Sequence, residues 1–321
     1  MTPTPRTRLP WAALPRDLAV AVEARLGAPV ARAEDQTGGF SPGVAARLSL
    51  TDGRRAFVKA VSPAQNPDSP HIHRAEAWIA AGLPEDIPAP RLLHSFEQDG
   101  WVVLAFEDVP GRTPAQPWDP GELRRILDAM TGLAARLTPS PLQVPPAVER
   151  LAESFGCWAR LAADRDAGTD DLHGLDPWAA THLEELAALE SGWPEALTGD
   201  TLAHGDLRAD NVLLTGDGGV VFVDWPWACT STSWFDLLCM LPSVMMQGGP
   251  EPERLFAVHP VARDADPAAV DAALTALTGM FLTQARRPAP PGLPTLRSFQ
   301  RAQGEAALSW LRTRLRSRLR A

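Results

Sequence analysis

Alternating apolar and polar positions dominate roughly the first hundred residues, and a three-to-four-residue apolar spacing takes over beyond them. The segments AARLSL (45–50) and RAFVKAV (55–61) flank Thr51-Asp52-Gly53-Arg54, a turn signal that predicts a β-hairpin. The two-residue period of the second strand puts Phe57, Lys59 and Val61 on one face. HIHRAEAWIAAG (71–82) spaces Ile72, Ala75 and Ile79 for a helix that stops at Gly82. PRLLHSF and WVVLAF, either side of Glu97-Gln98-Asp99-Gly100, predict a second hairpin, and EDVPGRTP then breaks the pattern as an interlobe hinge.

The helical part opens at Asp119-Pro120 with Glu122, an N-cap, N1 proline and capping-box arrangement. Leu123, Ile126, Leu127, Met130, Leu133, Ala134 and Leu137 form the stripe of this helix. TPSPLQVPP (138–146) predicts a loop, followed by helices over 147–164 and 177–190, the second opened by Asp176-Pro177. Short apolar runs NVLL and VVFV around Thr215–Gly219 predict a further hairpin, and helices follow over 234–246, 267–285 and 297–319. The expected fold is α+β with two lobes, a small antiparallel-sheet lobe (1–107) and a larger, mainly helical one (108–321).

A chain of 321 residues exceeds the usual single-core size, in keeping with two lobes. The formal charge of −9 argues against nucleic acid as the partner but tolerates a cationic small substrate. Three cysteines, Cys157, Cys229 and Cys239, suggest neither a disulfide framework nor a zinc cluster. The stretch MTPTPRTRLPWAALPRD lacks the apolar core of a secretion signal, and no run of 18 apolar residues occurs, so a cytoplasmic protein with no membrane partner is expected. Of the 30 basic residues one alone, Lys59, is a lysine. A compact ammonium sits between phosphate oxygens where a planar guanidinium does not, which makes Lys59 a candidate site residue.

The hairpin segment LAHGDLRADNVLLTGDGGVVFVDW (202–225) concentrates the chemistry. Antiparallel pairing brings Asn211, before its first strand, near Asp224, after its second, close enough for two side-chain oxygens to grip one magnesium ion. Asp206, in the entering loop, faces the same pocket as a separate carboxylate able to orient and deprotonate an attacking hydroxyl.

HGDLRADN has the spacing of the protein-kinase catalytic loop, H-R-D-x-x-x-x-N, with glycine in place of arginine, and VFVDWPW follows it. In this it resembles the aminoglycoside phosphotransferase and choline kinase superfamily, whose fold is protein-kinase-like. The resemblance implies Asp206 as catalytic base, Asn211 and Asp224 as magnesium ligands, and His204 as an organiser of the loop. Asp236, in SWFDLL, would buttress that loop, and Arg208 would touch the transferring phosphoryl group. Lys59 would hold the α and β phosphates, oriented by Glu76. GGFSPG (38–43) would cover the nucleotide, and the adenine would bond the hinge backbone around Phe106, Glu107 and Val109. The implied cofactors are ATP or GTP with Mg2+, and the implied acceptor is a hydroxyl of a small molecule. An aminoglycoside or other antibiotic leads, with a choline-, amino-alcohol- or sugar-type metabolite as the alternative. A non-catalytic nucleotide-binding module, a protein kinase (no A-P-E follows Asp224) and a metal hydrolase using His204 and Asp206 are the competing classes.

Other conspicuous residues have ordinary explanations. Asp217 is turn chemistry, Asp210 caps or faces solvent, and Trp225, Trp227 and Trp234 are expected to pack in the core. The acidic loop 164–176 reads as solvated. The basic carboxyl end, with Leu308, Leu311, Leu315 and Leu319 on one stripe, reads as an amphipathic helix rather than a nucleic-acid arm.

Overall fold

In a computed structural model, residues 8–318 are described. They form two compact units. The first takes the chain up to Thr113 together with Asp210–Pro226 and Ala289–Leu296; the second takes Pro114–Ala209, Trp227–Pro288 and the chain from Arg297 onward.

The first unit is built on α1 (Arg16–Leu26), β1 (Val30–Asp35), β2 (Val44–Leu50), β3 (Arg55–Val61), α2 (Ser69–Gly82), β4 (Leu92–Gln98), β5 (Trp101–Glu107) and β6 (Gly111–Arg112). Strands β1 to β5 make one antiparallel sheet in the order β1-β2-β3-β5-β4. Alternation along β3 decides what each face does. Ala56, Val58 and Ala60 join Leu18, Val22 and Leu26 of α1 in one buried cluster, whereas Phe57 packs with Leu104 and Phe106 of β5 and Ala77 of α2 on the other side. Lys59 shares the parity of Phe57 and therefore leaves the sheet on the α2 side. The helix α1 departs from the mainly β reading of this region: Leu18, Val22 and Leu26 recur every fourth residue and are the buried ones.

The second unit begins with α3 (Pro120–Arg136), whose Asp119 carboxylate accepts the amide protons of Gly121 and Glu122, both at 2.9 Å. Then come α4 (Ala147–Arg150), α5 (Cys157–Asp166), α6 (Pro177–Thr181), α7 (Leu183–Glu190) and α8 (Trp193–Ala196). Two predicted helices are thus each broken in two. The 147–164 helix is interrupted because Gly156 adopts φ +76° and the Glu190 carboxylate of α7 takes the amides of Cys157, Trp158 and Ala159 at 2.9, 2.8 and 3.2 Å, starting a new helix there. The 177–190 helix breaks at His182, whose Nδ1 bonds the Trp178 carbonyl at 2.8 Å while its ring stacks on the Trp178 indole.

Next are β7 (Thr201–Ala203), β8 (Val212–Thr215), β9 (Val220–Phe222) and β10 (Cys229–Ser231), followed by α9 (Phe235–Met246), α10 (Pro252–Phe256), α11 (Pro267–Gln284) and α12 (Leu296–Arg318). β8, β9 and β6 form a three-stranded sheet of the first unit, and β7 pairs with β10 in the second. On α12, Leu308 and Leu311 are buried, and Arg314 is held by Asp271 at 2.6 Å and Glu253 at 2.8 Å. Arg314 is therefore tied into the fold, in line with the amphipathic reading; Leu319 lies outside the described residues. No helix among the described residues is long and apolar enough to cross a membrane.

Candidate active site

In the first unit, β8 and β9 pair with Val212 opposite Phe222, and the Val223 amide donates to the Asn211 carbonyl at 2.9 Å. Asn211 thus faces Val223, one residue short of Asp224, and the chain turns there because Asp224 takes φ +71°, a conformation uncommon outside glycine. That turn delivers Asp224 Oδ1 to Lys59 Nζ at 2.9 Å, while Glu76 Oε1 of α2 lies 2.6 Å from the same nitrogen. Lys59 therefore bridges two carboxylates, with the Phe106 ring 5.9 Å away. Burial opposes the charge of Lys59, but Asp224 and Glu76 outweigh it and raise its pKa; burial in turn lifts Glu76 above the usual carboxylate range.

The neighbouring backbone is fixed by contacts that sequence reasoning missed. A Cβ on Gly43 would lie 2.3 Å from the Ala60 carbonyl, so glycine alone lets the end of the 38–43 loop lie on β3 beside Lys59. Asp108, buried between Glu107 and Val109, pairs with Arg55 at 2.8 Å and Arg47 at 3.2 Å, and Arg47 also donates to the Val109 carbonyl at 2.9 Å. The Glu107 amide bonds the Arg91 carbonyl at 2.9 Å. No local pattern signals these pairs, since their members lie far apart in the chain. His73, a turn before Glu76 on α2, was also missed: it is buried, its Nδ1 lies 3.1 Å from the Ser69 carbonyl, and burial together with the Lys59 charge pushes its pKa down to about 3.

The second unit holds His204, Asp206 and Arg208 in one tight turn after β7. Asp236, in the first turn of α9, accepts the His204 amide at 2.8 Å and the Gly205 amide at 2.9 Å, and the Asp206 amide donates to His204 Nδ1 at 3.3 Å. The Asp236 carboxylate and the His204 ring thus hold the amides of this turn. Gly205 has φ +81°, and a Cβ there would come within 2.6 Å of the Trp227 carbonyl. That close approach is the physical reason for glycine where protein kinases have arginine. Arg208 Nη1 lies 2.6 Å from Asp206 Oδ1, and its guanidinium sits 5.3 Å from the Phe299 ring centre. Trp225 and Trp234 are buried as expected, but Trp227 is 39% exposed: its backbone packs on Gly205 and its indole faces outward, under the Arg150 guanidinium at 5.0 Å. Asp217, as expected, serves the β8–β9 turn by accepting from Thr215 Oγ1 and the Gly219 amide.

Burial pushes Asp236 from its ordinary 3.8 up to about 6, the two amide bonds offsetting only part of the cost. Because the folded value lies above the unfolded one, the stability this group contributes is complete below about pH 4 and is lost as pH rises through 6. Wild type should therefore lose thermal stability relative to Asp236→Asn across pH 4 to 6. A difference in Tm that stays flat over that window would contradict the assignment.

Asn211 and Asp224 offer the hard oxygen donors that magnesium prefers, and Asp224 is 40% exposed on its side chain. Among the described residues no group of three or more His, Cys, Asp or Glu is placed to hold a metal. The oxygen donors of Asn211 and Asp224 would fit a hard cation such as magnesium.

Comparison with known proteins agrees with this architecture. Homoserine kinase of Methylobacterium sp. (strain 4-46) is 30% identical over 153 residues, 46% of this chain and 45% of that protein, and homoserine kinases of four further bacterial strains match at 31–38%. An aminoglycoside 3'-phosphotransferase of Streptomyces fradiae is 32% identical over 129 residues, 40% of this chain and 47% of that protein. The chain spans less than half the length of these curated relatives. Among solved structures, choline kinase LicA from Streptococcus pneumoniae superposes with a TM-score of 0.60 at 12% identity, covering 93% of this chain and 98% of that one, which shows the protein-kinase-like fold. Residues 38–273, from the glycine loop through the His204 turn and the Asp224 hairpin into α11, match the Phosphotransferase enzyme family, and to that family the chain belongs.

Proposed function

We propose that the chain transfers the γ-phosphoryl group of ATP or GTP to the hydroxyl of a small amino-alcohol-type metabolite, homoserine being the first candidate. The observation that carries the reading is the bridging of Lys59 between Glu76 and Asp224, which sets an ammonium beside a partly exposed carboxylate. Lys59 binds the α and β phosphates, Asn211 and Asp224 hold magnesium, and the backbone at Phe106, Glu107 and Val109 receives the base of the nucleotide. Magnesium, when bound, supplies charge neutralisation on the phosphate oxygens. Asp206 orients the acceptor hydroxyl and takes its proton as the new O–P bond forms and the bond to the nucleoside diphosphate breaks. His204 fixes the turn, and Arg208 moves from Asp206 to the transferring group.

The acceptor class rests on the homoserine kinase matches, the longest of which exceeds the aminoglycoside 3'-phosphotransferase match, 153 residues against 129. They support the amino-alcohol alternative over the antibiotic expected from the sequence. The test is nucleotide consumption with L-homoserine, choline and a panel of aminoglycosides, read together with the product mass. Phosphorylated homoserine or another amino-alcohol is expected. Turnover of aminoglycosides alone would restore the antibiotic reading, and nucleotide binding without any turnover would make the chain a binding module.

A further inference from the structure

The segment ahead of α1 is fastened to both ends of the glycine loop. The Trp11 amide donates to Asp35 Oδ1 at the end of β1, at 2.7 Å, and the Leu9 amide donates to the Pro42 carbonyl at 3.3 Å. Leu9 and Trp11 also pack against the buried cluster that joins α1 to the sheet. This double anchoring places Arg8, the residue before Leu9, against the loop itself. Gly39 has φ +79°, and a Cβ built on it would lie 2.5 Å from Arg8 Nη2, so the tip of the guanidinium abuts the loop backbone.

The same arginine's charge reaches His73, a turn before Glu76 on α2. His73 is only 4% exposed, and its ring feels Lys59, Asp224 and Arg8 together. With Nδ1 donating to the Ser69 carbonyl, His73 Nε2 is an acceptor, and it has no hydrogen-bond partner among the described residues. A buried neutral acceptor of this kind calls for a hydrogen-bond donor, which a neighbouring cation can supply and a phosphate oxygen cannot. Lys59, the sole lysine, is already shared by Glu76 and Asp224, so its charge is largely neutralised locally. A polyphosphate arriving there needs a further cation, and a guanidinium offers a planar fork matched to phosphate oxygens.

We propose that Arg8 is a second nucleotide-binding cation, contacting the polyphosphate from the Gly39 end of the glycine loop. The proposal rests on the nucleotide-binding reading given above and adds to it a residue that lies ahead of the 38–273 family match. A purely structural Arg8, which only props the loop, would affect all nucleotides alike. A phosphate-binding Arg8 discriminates by the number of phosphates.

The test is equilibrium binding of ATP, ADP and AMP, with magnesium, to the full chain and to its Arg8→Gln and Arg8→Lys variants, with Tm recorded for each. Arg8→Gln is expected to weaken ATP roughly ten- to a hundredfold, the loss of one charge-assisted hydrogen-bonded contact, while AMP changes by less than about twofold. Arg8→Lys, which keeps the charge but not the fork, should fall between, and it decides the matter if the glutamine variant does not fold. Equal ATP affinity in wild type and both variants would overturn the proposal, and so would an equal loss for AMP and ATP. Wild-type chain that binds no nucleotide would instead remove the underlying reading, a result distinguishable from the other two.

Discussion

Replacing Asp206 by alanine is expected to lower turnover by roughly 10²- to 10⁴-fold, the usual contribution of a general base. The nucleotide contacts proposed for Lys59, Asn211 and Asp224 belong to the other compact unit, so nucleotide affinity should change little. The loss should fall on kcat, with the acceptor KM as a second readout. The turn itself should survive, because its amides at His204 and Gly205 are held by Asp236 and not by Asp206. The substitution does strip Arg208 of its 2.6 Å partner, so an Asp206→Asn variant, which keeps an oxygen near Nη1, separates loss of the base from a displaced arginine. Both variants should be nearly inactive if Asp206 takes the proton. Turnover retained by Asp206→Ala in a coupled nucleotide-consumption assay would remove the assignment.

The parts of this site that the sequence reveals are those whose geometry is local. His204, Asp206, Asn211 and Asp224 stand at fixed offsets along one short stretch of sequence, and the pairing of β8 with β9 leaves Asn211 opposite Val223, next to Asp224. Lys59 stands out because arginine has replaced lysine everywhere else, and the alternation of β3 carries it to the α2 side where Glu76 waits. What is hidden depends on residues distant in the chain. Nothing near Gly156 announces that Glu190, 33 residues away from Cys157, will start α5 there. Asp108 looks like an ordinary hinge residue until Arg47 and Arg55 arrive from β2 and β3. Trp227 reads as core because tryptophan usually is; its exposure follows from a backbone held against Gly205, a relation visible only once both loops are folded. The helix α1 is hidden for a different reason, since the continuous apolar run AVAV marks no period by itself and the burial of Leu18, Val22 and Leu26 supplies the helical one.

Lys59→Arg should cost at least about tenfold in kcat/KM although it conserves charge. The ammonium sits 2.6 Å from one carboxylate and 2.9 Å from another, with 15% of its side chain exposed. A longer, planar guanidinium cannot keep both distances and still turn a donor to a phosphate. Lys59→Met should do more, because it leaves the buried Glu76 carboxylate without its cation; breaking a buried pair in this way costs about 3 to 5 kcal/mol, less here to the extent that solvent reaches the site. Glu76 then escapes by taking up a proton, as its raised pKa already favours. Adding Glu76→Gln to Lys59→Met should therefore recover part of the lost Tm without recovering activity, a sign of coupling that two independent contacts would not give. If Lys59→Arg matched wild type in both nucleotide affinity and rate, the single lysine would be an incidental survivor of an arginine-rich composition, and the ion-pair network around it would hold the fold together without serving phosphoryl transfer.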